Sequence, residues 1–344
     1  MRVRPAHPAR ALLAVALGEP TSERMAVALG RAAASADIVE LRVDMIQEGE
    51  LDLRRLLHER PCPVIVTNRA AREGGHWRGD EGARLDVLRE AMDLGAEYVD
   101  VELDAADALQ ARGRTQRIVS NHDFSAMPAD FAHRWRRIAE AGADVVKLVG
   151  MARRAADTLA PLDALAAADR PTIAIAMGES GLFSRIAGLR YPACFLTFCA
   201  LEDGGGTAPG QIGIAELRGT YLPESIDHGT RIYGLLDDRR DDAQIRRLNE
   251  SLRATGQNAR VVPVVVSDPT DAVESIRALS RTHVAGFLVA PAFVEIVAAA
   301  LDRLDRSACL HAGVNVIRWA DGEIVGAWGG RMGDRLAMLT GLLG

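Results

Sequence analysis

From residue 11 to about 220 the chain alternates short runs of Val, Ile and Leu with longer stretches in which apolar residues recur every three or four positions. The short runs, at 12–17, 38–43, 63–67, 97–103, 117–122, 144–149, 172–176 and 194–198, have the length and β-branched content of buried strands. Between them the pattern is helical. Over 86–95 Leu88 and Met92 share a face with Leu85, and Gly95 is a natural stop. Over 128–142 the stripe is Phe131, Trp135 and Ile138. Eight strand-then-helix units in roughly 200–250 residues predict an α/β fold, a (β/α)8 TIM barrel, over residues 1–220.

Turn formers break the rhythm at 221–230, which reads as a linker. Residues 231–344 then predict a smaller α/β domain of ordinary size. Its strand candidates are 232–236, 260–266, 284–289, 314–319 and 324–328, the last two joined by Asp321-Gly322 as a tight hairpin. Helices are expected over 271–281, 292–304 and 331–343.

Composition narrows the function classes. Of 344 residues 48% are hydrophobic, enough for a sizeable core, and the net charge of -6 argues against a nucleic-acid or membrane-surface role. An anionic substrate remains open, since a few inward-pointing arginines set a local field. Cys62, Cys194, Cys199 and Cys309 show neither a CxxC pair nor zinc spacing, and read as reduced core residues of a cytoplasmic protein without a metal. The basic start followed by the apolar run 11–17 imitates a signal peptide, but Gly18-Glu-Pro20 is no small-residue cleavage site, so a first strand is expected. No run approaches the roughly 18 apolar residues of a membrane span.

Lys147 is the only lysine among 41 basic residues, and it sits inside the apolar run 143–149. A buried, unpaired ammonium tends to shed its proton, which arginine cannot do, and a neutral amine in an apolar barrel suits Schiff-base formation with a ketone or aldehyde. In a barrel of this class the chemistry comes from the C-terminal ends of the strands. One run ends Glu40-Leu-Arg-Val-Asp44, whose alternation turns Glu40, Arg42 and Asp44 to one face. Another ends Ser120-Asn-His122-Asp-Phe124 and brings a histidine to the same rim, able to take the proton α to an iminium and return it to a leaving group.

These segments, together with Arg69-x-x-x-Glu73-Gly-Gly75, Asp144-Val-Val-Lys147, Met177-Gly-x-x-Gly181-x-x-Ser184-Arg185 and Thr207-Ala-Pro-Gly-Gln211, resemble type I 3-dehydroquinate dehydratase, in the family's order. The resemblance implies a lyase of the shikimate pathway, on the route to chorismate and the aromatic amino acids, that dehydrates 3-dehydroquinate to 3-dehydroshikimate without cofactor or metal. It implies Lys147 as the Schiff-base amine, His122 as acid and base, and Glu73 as its orienting partner. Arg185 would grip the carboxylate, Glu40, Arg42 and Arg69 the ring hydroxyls. Met177 would pack on the ring. Gln211 and Thr207 (a Ser in most of the family) would close from the last loop, where Gly204-Gly-Gly206 suggests a lid. The small-molecule substrate is the expected partner, with a homodimer as the assembly. The alternative is a class I aldolase-type lysine barrel acting on another keto substrate, with Arg185 near a Gly-x-x-Gly loop holding a phosphate. Biosynthetic and quinate-degrading roles both stay open.

Residues 231–344 resemble the substrate-binding domain of shikimate dehydrogenase through Gly286-Phe-Leu-Val-Ala-Pro291, Val314-Asn315-Val-Ile317 and the spacing of Gly326 and Gly333. The departures matter more. Ala292-Phe293 replaces that family's lysine, Trp328-Gly-Gly330 replaces its Asn-Thr-Asp, and no Gly-rich nucleotide-binding loop follows. The expectation is a non-catalytic domain, structural or dimerising, or else a relic holding a shikimate-like ligand through Asn315.

Overall fold

The apolar runs become strands because each presents β-branched residues to both faces of a sheet that is covered on both sides. The structure, a computed structural model, describes residues 10–58, 60–202 and 206–341. Its first eight strands are parallel: β1 (Leu12–Leu17), β2 (Ile38–Arg42), β3 (Val64–Thr67), β4 (Tyr98–Glu102), β5 (Gln116–Asp123), β6 (Val145–Met151), β7 (Thr172–Met177) and β8 (Leu196–Cys199). They pair in chain order with β1 between β2 and β8. The ring closes where the Thr172 N–H donates to the Ala193 carbonyl at 2.8 Å and Phe195 N–H to the Thr172 carbonyl at 2.9 Å.

Around it lie α1 (Ser22–Ala33), α2 (Leu53–His58), α3 (Glu81–Asp93), α4 (Phe131–Glu140), α5 (Leu159–Ala167), α6 (Leu182–Ala187) and α7 (Ile214–Tyr221). Two starts follow from capping, with the Thr21 and Asp80 side chains accepting from Arg24 and Ala83 N–H. The Asp80 cap explains why α3 begins at Glu81, five residues before the range 86–95 expected from the apolar stripe. The eightfold strand–helix repeat is incomplete: between β4 and β5 the chain makes only a 3-10 turn, Leu103–Ala108. The Ala106 and Leu109 carbonyls accept from Arg117 rather than continuing a helical ladder.

Side-chain parity sorts the barrel core into two layers. Ala14, Ile38, Ile65, Ile118, Val145 and Ile173 fill the lumen, while Leu13, Val39, Val64, Val119, Val146 and Ala174 pack outward. Every strand therefore delivers alternate residues to the lumen, and those nearest its C-terminal end reach the rim.

After α7 the chain enters a second sheet: β9 (Arg231–Asp237), β10 (Ala259–Val265), β11 (Val284–Val289), β12 (Arg303–Leu304), β13 (Val316–Ala320) and β14 (Glu323–Ala327), with α8 (Asp242–Ala254), α9 (Pro269–Leu279), α10 (Arg306–His311) and α11 (Met332–Thr340). The order is β10-β9-β11-β13-β14-β12. The Asp321-Gly322 hairpin forms as expected, both residues at positive φ, with Ala320 opposite Glu323. The helix expected over 292–304 does not. The chain there makes 3-10 turns at Pro291–Phe293 and Val297–Ala300 and then strand β12. The Val294 carbonyl is taken by Val314 N–H at 3.0 Å, and Arg303–Leu304 pairs with Val325–Gly326, so tertiary pairing overrides local helix preference. The charged run 237–242 ends with Asp241 capping α8, a helix striped by Ile245, Leu248 and Leu252 and absent from the expected elements. Edge strand β10 lies against α6 and α7 of the barrel, and on its open edge Asn249 of α8 takes the Val261 N–H at 2.7 Å and donates to the Val261 carbonyl at 3.0 Å.

All four cysteines are free. Cys194 and Cys199 are core residues, but Cys309 is exposed on α10 and Cys62 only half-buried, which corrects their assignment to the interior. No helix among the described residues is long and apolar enough to cross a membrane.

Candidate active site

Inward parity brings polar residues from β2 to β6 to one rim. Lys147, from β6, is 4% exposed. Its Nζ donates to Asp100 Oδ2 at 2.7 Å and Glu40 Oε1 at 3.3 Å, with the Phe198 ring centroid 4.7 Å away. The wall of hydrocarbon expected around the amine is thus corrected: β4 turns Asp100 into the lumen, and Asp100 and Glu40 together face the nitrogen. Glu40 also accepts from the Thr67 hydroxyl at 2.7 Å. Burial works to raise the Asp100 carboxyl, but Arg69 and Lys147 outweigh it and hold the group well below the usual carboxylate range.

Arg69 leaves β3 and is committed on three sides, to Asp100 at 2.7 Å, Glu102 at 3.3 Å and the Ser120 hydroxyl at 2.7 Å. Arg42 closes a two-pronged bond on Asp44, at 2.9 and 2.7 Å, so that carboxylate is spent on the arginine and on His76 N–H at 3.0 Å.

His122, at the end of β5, has its Nδ1 2.9 Å from Glu73 Oε2, which also accepts the His122 backbone N–H at 3.0 Å. Asn121 Nδ2 donates to the other oxygen at 3.0 Å. Glu73 can reach back because Gly74 turns the chain at φ +75°, where a Cβ would lie 2.4 Å from the Phe124 ring. Burial pushes the Glu73 carboxyl up, against Arg69 and Asn121. Burial, and then the charges of Arg69 and Lys147, push the His122 imidazole well below its usual range, so the ring is neutral at pH 7. With a carboxylate at Nδ1 the proton belongs there, leaving the Nε2 lone pair as the basic site.

Arg185, on α6, is 5% exposed and has no carboxylate partner among the described residues. Its guanidinium donates to the Pro209 carbonyl at 3.1 Å, and its Nε is buried without a partner among those residues. Burial pulls its pKa down to about 10. A buried cation without a counter-ion is a receptor for an anion.

Glu40, Arg42, Arg69, Glu73, His122, Lys147, Met177, Arg185, Thr207 and Gln211, the whole set named from the sequence, line one pocket with Phe124 and Phe198. Met177 is 1% exposed in the lumen core and also part of the lining. Gln211 accepts from Thr207 N–H at 2.9 Å. Of the glycine run expected to form a lid, Gly204 and Gly205 lie outside the described residues. Sequence reasoning missed Asp100 and Glu102. The parity argument applied to 40–44 holds equally for Tyr98-Val-Asp-Val-Glu102, and would have found both.

A family profile described as Type I 3-dehydroquinase matches residues 13–227. The chain is 33% identical over 304 residues to the chloroplastic bifunctional 3-dehydroquinate dehydratase/shikimate dehydrogenase of Arabidopsis thaliana, covering 85% of this chain and 50% of that protein. It therefore spans half the length of that relative. It is 37% identical over 221 residues to the 3-dehydroquinate dehydratase of Methanothermobacter thermautotrophicus, covering 62% of this chain and 98% of that one. Among solved structures, a type I 3-dehydroquinate dehydratase from Clostridium difficile superposes with a TM-score of 0.56 at 27% identity, over 63% of this chain and 94% of that one.

Proposed function

The chain belongs to the type I 3-dehydroquinase family, and from that premise we propose that it dehydrates 3-dehydroquinate to 3-dehydroshikimate, a shikimate-pathway step, through a Schiff base on Lys147. The observation that carries the reading is the pairing, in one pocket, of a buried amine held by Asp100 and Glu40 with a neutral imidazole held by Glu73.

The substrate carboxylate would meet Arg185, which lacks any other charge partner among the described residues. The Lys147 amine attacks the ketone carbon and water leaves, giving an iminium. The iminium carries the charge that the ammonium had, so Asp100 and Glu40 balance it without rearranging. His122 Nε2 then takes the proton on the adjacent carbon, made acidic by the iminium. The imidazolium so formed faces the Glu73 carboxylate. It returns that proton to the hydroxyl β to the iminium carbon, which departs as water. A second water hydrolyses the imine, restoring amine and ketone, so the net change is loss of one water. Glu40, Arg42 and Arg69 would hold ring hydroxyls. Arg69 is the most occupied of the three and contributes chiefly by fixing Asp100. Thr207 and Gln211 close from the last loop and Met177 packs on the ring. The aldolase alternative is not favoured by the family match.

We read 231–344, after a linker at 221–230, as a non-catalytic domain that covers the barrel's α6 and α7. Asn315 has both ends of its amide on Gly329, donating to its carbonyl at 2.9 Å and accepting its N–H at 2.8 Å, so it is a clamp rather than a ligand contact. The His311 ring stacks on Trp328 beside that clamp. A cytoplasmic homodimer is proposed from the resemblance and the free cysteines, and light scattering tests the assembly.

The deciding experiment adds borohydride with 3-dehydroquinate and maps the adduct by peptide mass. A ligand mass on the Lys147 peptide, with enone absorbance in unreduced samples, supports the reading. Turnover without an adduct means another chemistry.

A further inference from the structure

Among the described residues the largest fully buried side chain is a cation that the reaction above does not use. Arg84, on α3, is 0% exposed and outside the pocket lining. Its guanidinium donates to Glu81 at 2.7 and 3.0 Å and to the Asn68 carbonyl at 2.8 Å. It also pairs with Glu102 Oε2 at 2.6 Å, by charge rather than by an aligned hydrogen bond. The other oxygen of Glu102 accepts Ala70 N–H at 3.0 Å and lies 3.3 Å from Arg69. Arg69 in turn holds Asp100 at 2.7 Å, and Asp100 holds Lys147 at 2.7 Å. Charges of alternating sign thus run inward from the surface of α3: Glu81, Arg84, Glu102, Arg69, Asp100, Lys147.

Along this chain Arg69 stands between two buried carboxylates, and the fully buried Glu102 has no cation within 4.0 Å among the described residues other than Arg69 and Arg84. We propose that Arg84 is a positioning residue for the reaction: by neutralising Glu102 from behind, it leaves Arg69 to Asp100 and so sets how much negative charge Lys147 meets. Remove Arg84, and Glu102 draws Arg69 to itself. Asp100 then spends more of its charge on the ammonium form of Lys147, the form that cannot attack a ketone. The other groups facing that amine are Glu40 from β2, Arg69 from β3 and His122 from β5. An uncompensated negative charge strengthens proton binding at His122 as well, so both effects move activity toward higher pH.

The inference rests on the dehydratase reading of the same pocket. Its test is the pH dependence of kcat/KM for 3-dehydroquinate in four forms of the 344-residue chain: native, Arg84→Met, Arg84→Lys, and Arg84→Met with Glu102→Gln. Arg84→Met is expected to move the acid limb up by about one pH unit and lower kcat/KM at neutral pH about tenfold. Arg84→Lys, which supplies charge without the fork, should fall between it and native. The double variant removes the unpaired carboxylate and should bring the limb back toward its native position. A folded Arg84→Met protein with its limb unmoved, whatever its loss of rate or Tm, overturns the proposal, as does a double variant that keeps the shift. Should Arg84→Met fail to fold, Arg84→Gln, which also removes the charge, carries the same test, and an unshifted limb there refutes it. A native chain that releases no enone overturns the dehydratase reading and this inference with it. An active native chain with unshifted variants overturns this inference alone.

Discussion

Glu73→Gln tests directly how the pocket makes a base. The carboxylate takes three donors, Asn121 Nδ2, His122 N–H and His122 Nδ1, at 2.9 to 3.0 Å. The amide is nearly isosteric but neutral, and it has one acceptor oxygen. With its NH2 toward His122, the amide donates to Nδ1, drives the ring proton to Nε2 and removes the basic lone pair from the pocket. With its oxygen toward His122, the NH2 instead meets Asn121 Nδ2, and turning Asn121 sacrifices the bond its Oδ1 accepts from Arg134 at 3.2 Å. Even in that better case the imidazolium formed after proton abstraction loses its counter-charge. A hydrogen bond to a charged partner is worth about 1.5–3 kcal/mol, so kcat should fall about 10- to 150-fold, and further if the tautomer inverts. The amine and Arg185 are untouched, so KM should hold within a few-fold and borohydride should still trap an adduct on Lys147. The assay is enone absorbance with parallel trapping. A kcat within twofold of native, or an adduct lost along with the rate, refutes the reasoning.

Lys147→Ala should abolish the adduct, and since it leaves Glu40 and Asp100 facing each other without that cation, urea unfolding should show a loss of about 3 kcal/mol. An unchanged stability would mean Arg69 alone balances both carboxylates. Arg185→Met should raise KM by at least about 100-fold, a charge-pair contact being worth several kcal/mol. The same change should raise Tm, because it removes a buried cation that has no counter-ion in the free protein; a lowered Tm contradicts that assignment. His122 has a depressed proton affinity in the folded state. Its contribution to stability is therefore fully present above the ordinary histidine range and is lost as pH falls below about 6.5, where the unfolded chain binds a proton the folded one does not. Between pH 6.5 and 5.5 native protein should lose about 1 kcal/mol more than His122→Gln, and parallel losses would show that this histidine is not buried neutral.

What could be read in advance followed from local periodicity. Short β-branched runs located all eight barrel strands, and period-2 alternation turned Glu40 and Arg42 to one face, because a strand cannot aim successive side chains at one face. Asp321-Gly322 predicted its hairpin for the same local reason, since few residues tolerate positive φ. The misreadings lie where distant pairing decided the outcome. Residues 292–304 look helical by composition, yet Val314 and β14 claim their backbone. The fourth barrel connection forgoes its helix, and the Arg117 guanidinium from the next strand takes the carbonyls of Ala106 and Leu109.

Which residues face the lumen was already decided by the amino-acid order, and a solitary lysine among arginines marked a residue that lines the pocket. That order was silent on what the lysine touches. Asp100 is 47 positions away and Glu40 is 107, and only the closing of eight strands into a ring brings them to its nitrogen. Periodicity is a property of neighbours along the chain and survives without a fold. The charge a buried group meets is a sum over neighbours in space, and it exists only once the barrel is shut.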